Sequence, residues 1–142
     1  MIRTALARCW QRLQRRGLTL LVTGGAWMSY GAHISIQPRY GTVRGIGPLL
    51  DLMPMPGWGL VWLVCGAAAV VFSAARPGHD VLGIGGAIVP PLLWAVAYAL
   101  GATVGGDPKA WGAIAPWASH AVVILIVVVG TRPRKVVMVP HG

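Results

Sequence analysis

Fifteen charged side chains punctuate this chain of 142 residues, and all of them fall outside four stretches, 17–38, 52–75, 81–106 and 110–131. The stretches contain 22, 24, 26 and 22 residues without one Asp, Glu, Lys or Arg. A helix needs roughly 20 mostly apolar residues to cross the hydrocarbon core of a bilayer. Four crossings in so short a chain leave no room for a separate soluble domain. The pattern predicts an all-α fold, a four-helix transmembrane bundle with spans at about 18–36, 58–75, 81–104 and 108–130. Charged residues make up 11% of the chain, against about 25% in soluble domains.

The net charge of +9 invites a reading as a nucleic-acid binder, but the positions of the cations argue against that partner. Arg3, Arg8, Arg12, Arg15 and Arg16 precede the first stretch, and Arg132, Arg134 and Lys135 follow the last. Clusters beside a span are drawn to anionic lipid, at about 1 kcal/mol per residue near the surface. Arg8, Arg12, Arg15, Arg16, Arg132, Arg134 and Lys135 are therefore expected to contact lipid headgroups. Within 1–16, Ile2, Leu6, Cys9, Trp10 and Leu13 recur at helical spacing with most of the arginines opposite. That pattern suits an amphipathic helix lying in the interface. Residues 132–142 form a basic tail.

With four spans, both termini share a side with the 76–80 turn, which gives nine Lys or Arg there against three (Arg39, Arg44 and Lys109) on the other. The positive-inside rule then makes the termini cytoplasmic. A cleaved signal peptide is the rival reading of the N-terminus, but Gly24 and Gly25 interrupt its apolar segment.

The spans differ in character. The first carries Thr19, Thr23, Ser29, His33 and Ser35 among its glycines, so it belongs inside the bundle or at a contact between copies. Gly24 and Gly31, then Gly59, Gly66 and Ser73, recur every seven residues, and Ala97 and Gly101 are four apart. Such small residues let helices approach closely in lipid, and a homo-oligomer through these faces is expected. Pro90-Pro91 should kink the third span. Trp58, Trp62, Trp111 and Trp117 suit an interfacial aromatic belt, whereas Trp27 and Trp94 lie deeper. The loop at 37–57 holds four Pro and four Gly, which argues against helix. Asp80 and Asp107 are positioned to cap the helices that follow them.

No catalytic set emerges. Ser119 and His120 are chain neighbours, which do not face each other on a helix. The three acids, Asp51, Asp80 and Asp107, lie one per loop. Gly83-Ile84-Gly85-Gly86 lacks the Lys and Ser or Thr of a phosphate loop. The histidines and the distant Cys9 and Cys65 match no metal spacing. Neither enzymatic activity nor a cofactor nor a metal is expected. The sharpest single residue is His120, about 18 Å along the last helix from Pro108. An ionisable group at that depth is a candidate intramembrane polar site.

Four segments, LVTGGAWMSYG at 21–31, WGLVWLVCG at 58–66, PGHDVLGI at 77–84 and PPLLWAVAYALG at 90–101, resemble small four-span membrane proteins encoded by bacteriophages of actinobacteria. The resemblance implies a non-enzymatic multi-pass protein of the host inner membrane, holin-like or accessory to lysis, and names no functional residue. A small channel or transporter subunit using His120 and the Pro90-Pro91 kink is the alternative expectation. A structural partner for another membrane protein is a third.

Overall fold

The computed structural model describes residues 15–131 apart from Pro77. The expected interfacial helix, except its last two residues, and the headgroup contacts Arg8, Arg12, Arg132, Arg134 and Lys135 lie outside the described residues. Within them the fold is helical, with no strand. Four long helices, α1 (Arg15–Ile36), α4 (Met55–Phe72), α5 (Val81–Thr103) and α6 (Trp111–Gly130), are joined by short elements. Two of these, α2 (Tyr40–Gly45) and α3 (Gly47–Leu50), lie between α1 and α4, and a 3-10 turn, Pro108–Ala110, leads into α6.

Three segments are long and apolar enough to cross a membrane: Met55–Phe72, Val81–Thr103 and Pro108–Gly130, with mean hydropathies of 1.8, 1.8 and 2.1. These make the chain an integral membrane protein in composition and length. Helix α1, at 22 residues, matches them in length but is diluted by its Thr, Ser, His and Gly.

Antiparallel packing of α1 on α4 is dictated by a heptad pattern. The buried residues of α1 include Gly17, Gly24 and Gly31 on one register and Leu20, Trp27 and Ile34 on another, each seven apart. On α4 the buried pairs are Gly59 and Gly66, and Met55, Trp62 and Ala69. A repeat of seven keeps one seam facing the partner helix. The small residues meet along it. A Cβ built on Gly24 would stand 2.6 Å from the Gly66 carbonyl oxygen, and one on Gly66 2.6 Å from that of Gly24. Gly31 and Gly59 repeat the reciprocal contact one heptad away, again at 2.6 Å. These glycines were expected to serve contacts between copies; they are occupied within a single chain. Ser73, next on the stripe, is buried with its hydroxyl donating to the Val70 carbonyl at 2.7 Å.

Helix α5 runs unbroken through Pro90 and Pro91, both buried. A proline at position 91 leaves the Ala87 carbonyl without its usual helical donor. The indole N–H of Trp27 on α1 supplies one, at 2.9 Å. Ala97 is fully buried, but Gly101 meets the Gly45 carbonyl of α2 rather than another long helix.

The loop corrects the sequence reading, since α2 and α3 are helical despite the prolines and glycines. Ile46, Leu49 and Leu50 fall at helical spacing, and Ile46 and Leu49 are buried. Pro48 sits in the first turn of α3, where a missing N–H costs nothing. The indole of Trp58 donates to the Leu49 carbonyl at 3.1 Å, closing the end of α3.

Candidate functional site

The centre of the molecule is aromatic. Trp62 is fully buried, with ring centroids 4.9 Å from Trp27, 4.7 Å from Tyr30, 5.2 Å from Trp94 and 5.4 Å from Trp117. Three of these contacts are edge-to-face, the arrangement that the ring quadrupole favours. The indole of Trp94 donates to the Tyr30 hydroxyl at 3.1 Å. Trp62 was expected in an interfacial belt and is instead the hub of the core, because it falls on the buried seven-residue register of α4. Its own N–H is buried without a partner among the described residues. Trp117 is half-buried in the same cluster, Trp58 anchors α3, and Trp111 stays exposed as a belt residue would.

His120 lies on the outside of α6 rather than in the core. Its Nδ1 is 2.7 Å from the Pro116 carbonyl oxygen. A carbonyl can only accept, so Nδ1 is the donor in this contact. Ser119 donates to the same oxygen at 2.8 Å, so the two side chains share an acceptor instead of bonding to each other. The imidazole leans on Trp27 and Trp117, at centroid distances of 5.9 and 6.1 Å. Trp27 thus separates His120 from the proline pair: its ring faces the histidine while its N–H reaches the carbonyl freed by Pro91.

Between α1 and α6 is a groove of about 390 Å³, with Thr19, Thr23, Ser119 and His120 among its lining residues. The remaining walls are apolar, among them Val22, Val123 and Ile124. The buried residues of α6 are Ala121, Ile124 and Val128, with Ala113, Ile114 and Trp117 partly buried against the core. The valines and leucine of its last turns, Val122, Val123, Leu125 and Val129, are at least half exposed, as expected of a lipid-facing surface.

At one end of the molecule the sequence reading missed a buried ion pair. Arg16 grips Asp80 with two nitrogens: Nε donates to Oδ2 and Nη2 to Oδ1, the latter at 2.8 Å. Nη1 donates to the Val128 carbonyl at 3.3 Å. Arg16 was expected at the headgroups; its side chain is 9% exposed and that of Asp80 3%. Asp80 gives no side-chain cap to α5, because its carboxylate is taken by Arg16 and by the Gly78 N–H at 3.1 Å. Gly78 has a φ of +97°, a left-handed turn that glycine adopts without penalty. Arg15 alone of the described N-terminal cations is exposed. The one signal in the sequence was position, since Arg16 and Asp80 each border a charge-free stretch.

At the other end Asp107 caps the 3-10 turn as expected, accepting from the Lys109 N–H at 3.1 Å. His33 is exposed near the end of α1, and Cys65 is a free, half-buried thiol on α4. No group of three His, Cys, Asp or Glu side chains is arranged to hold a metal among the described residues. Comparison with protein families, with curated proteins and with solved structures gives no match.

Proposed function

We propose that the chain is a four-span, non-enzymatic protein of a bacterial inner membrane that acts by assembling laterally with copies of itself. Its most concrete form is holin-like: accumulation followed by loss of bilayer integrity. Origin in a bacteriophage of an actinobacterial host is part of the proposal and rests on the segments at 21–31, 58–66, 77–84 and 90–101.

Support for a fourth span comes from packing. Helix α1 lies antiparallel on α4 from the Gly24–Gly66 contact to the Gly31–Gly59 contact, and Arg16 at its start pairs with Asp80 beyond the end of α4. A helix in register with α4 over that length crosses wherever α4 crosses. Two of its hydroxyls are satisfied within the helix, Thr19 donating to the Arg15 carbonyl at 2.9 Å and Ser35 to that of Gly31 at 2.8 Å.

The observation that carries the proposal is the uncovered groove with His120, Thr23 and Ser119 at half the height of α6. Ser119 and His120 Nδ1 are paired with the Pro116 carbonyl, and the imidazole nitrogen that remains is costly to leave facing lipid at that depth. The glycine seam and the aromatic centre are already occupied within the chain, so this face is where a second copy fits. Single cysteines at Thr23 or Ser119, in a chain with Cys9 and Cys65 replaced by Ser, should cross-link between copies in membranes. Induced expression should depolarise bacterial cells, and His120→Leu should delay it. Copies that fail to cross-link remove the assembly face; cells that keep their potential remove the holin-like form.

A further inference from the structure

Arg39, Arg44 and Lys109 come from two loops far apart in sequence, yet they line one cavity of about 490 Å³ at the end of the molecule opposite Arg16 and Asp80. Thr42, Tyr98 and Asp107 also line it. We propose that this cavity binds the phosphate headgroup of an anionic phospholipid in the leaflet at that end. The site rests on the membrane reading above but not on self-assembly.

The charge balance favours an anion. Three cations face one carboxylate, and that carboxylate is already employed. Asp107 Oδ1 accepts from the Lys109 N–H, and Oδ2 stands 3.6 Å from Arg44 Nε. Its side chain is 10% exposed. Asp107 therefore joins the two loops rather than filling the cavity. Arg44 approaches Asp107 through Nε at 3.6 Å and its side chain is 60% exposed, so the guanidinium is open to a phosphate. A guanidinium takes phosphate oxygens in a two-pronged fork that an ammonium cannot copy.

The wall behind the cations is fixed. Tyr98 is 7% exposed, and its ring lies so close to Gly45 that any Cβ there would collide with it. Gly101 in turn abuts the Gly45 carbonyl. Two glycines thus lock α2 against α5, and the loop that carries Arg39 and Arg44 is held at a set distance from Lys109. A phospholipid fits better than free phosphate because the cavity opens beside the start of α6. There Trp111 is 57% exposed, and farther along the helix Val122, Leu125 and Ile126 present an apolar flank along which acyl chains can lie.

The test uses the full chain in neutral detergent, offered phosphatidylglycerol and phosphatidylcholine together, with retained lipid read by native mass spectrometry. The wild-type chain should prefer phosphatidylglycerol by about thirtyfold, which two uncompensated cations near a surface supply. Arg39→Gln, Arg44→Gln and Lys109→Gln combined should bring the preference to parity, while Arg132→Gln, Arg134→Gln and Lys135→Gln combined should leave it in place. A headgroup-photoreactive phosphatidylglycerol should label the wild-type chain within 39–45 and 107–113, a readout that does not depend on the variants folding. Unchanged preference in the first triple variant, or labelling confined to other segments, overturns the site. Full displacement of the lipid by equimolar inorganic phosphate overturns the lipid assignment in favour of a free anion.

Discussion

Trp27 and Trp62 show how two identical side chains in one cluster carry opposite energetic signs. The N–H of Trp27 satisfies a carbonyl that Pro91 has orphaned, while that of Trp62 is itself an orphan. An unpaired buried donor or acceptor costs about 1–3 kcal/mol. Replacing each by Phe removes the same atoms, so the cavity costs are similar and the hydrogen bonds decide the difference. Trp27→Phe should destabilise the fold in detergent by about 1–3 kcal/mol more than Trp62→Phe, measured by reversible unfolding in a denaturing detergent. Equal losses would show that the Trp27–Ala87 bond contributes nothing. Neither role was legible in the sequence: Trp62 followed Trp58 by four residues and so resembled a belt. That Trp62 stands seven residues from both Met55 and Ala69, on the buried register, was the signal available. Arg16 was misread for a related reason. Its charge placed it outside the first apolar stretch by one residue, although a bidentate partner lets an arginine be buried at a helix end.

At the scale of elements, the glycine stripes were visible but their use was not. A small residue every seventh position marks a close-packing face whether the neighbour is the same chain or a copy. Only the register of α1 against α4, which brings Gly24 to Gly66 and Gly31 to Gly59, decides between them. Gly25, by contrast, has open space where a Cβ would stand. Gly66→Ala should force the two backbones apart and cost about 1–3 kcal/mol, the usual range for overpacking. Gly25→Ala should leave stability unchanged or raise it by up to about 1 kcal/mol, since alanine suits a helix better. Both are read by unfolding a dilute sample at two protein concentrations. A loss at Gly66 that depends on concentration would return the stripe to a contact between copies. The short helices α2 and α3 escaped sequence reading because Pro and Gly were weighed as breakers. Gly47 and Pro48 stand at the first turn of α3, where neither disrupts the hydrogen-bond ladder.

On the scale of the whole molecule, charge sorts the two ends. One end is closed by the Arg16–Asp80 pair bound to the last turn of α6, and the other gathers Arg39, Arg44, Asp107 and Lys109. The three apolar helices alone would allow α1 to lie along the membrane surface, with the 37–54 loop on the same side as residue 15. The ion pair sets the start of α1 beside Asp80, which follows α4, at the far end of α4 from Met55; the proposed fourth crossing rests on that placement. Burial argues that the pair is not easily surrendered: removing one partner of a buried ion pair typically costs about 3–5 kcal/mol. Single cysteines at Leu52, Arg76 and Gly106, in a chain lacking Cys9 and Cys65, test the arrangement in intact bacterial cells with a membrane-impermeant maleimide. Leu52 and Arg76 are exposed, and Gly106 sits in an open turn with a φ of +66°. Leu52→Cys and Gly106→Cys should label from outside, Arg76→Cys only after the cells are permeabilised, and a cysteine at Arg15 should follow Arg76. A cysteine at Arg15 that labels together with Leu52→Cys would reduce the chain to three crossings and break the register of α1 on α4 with it.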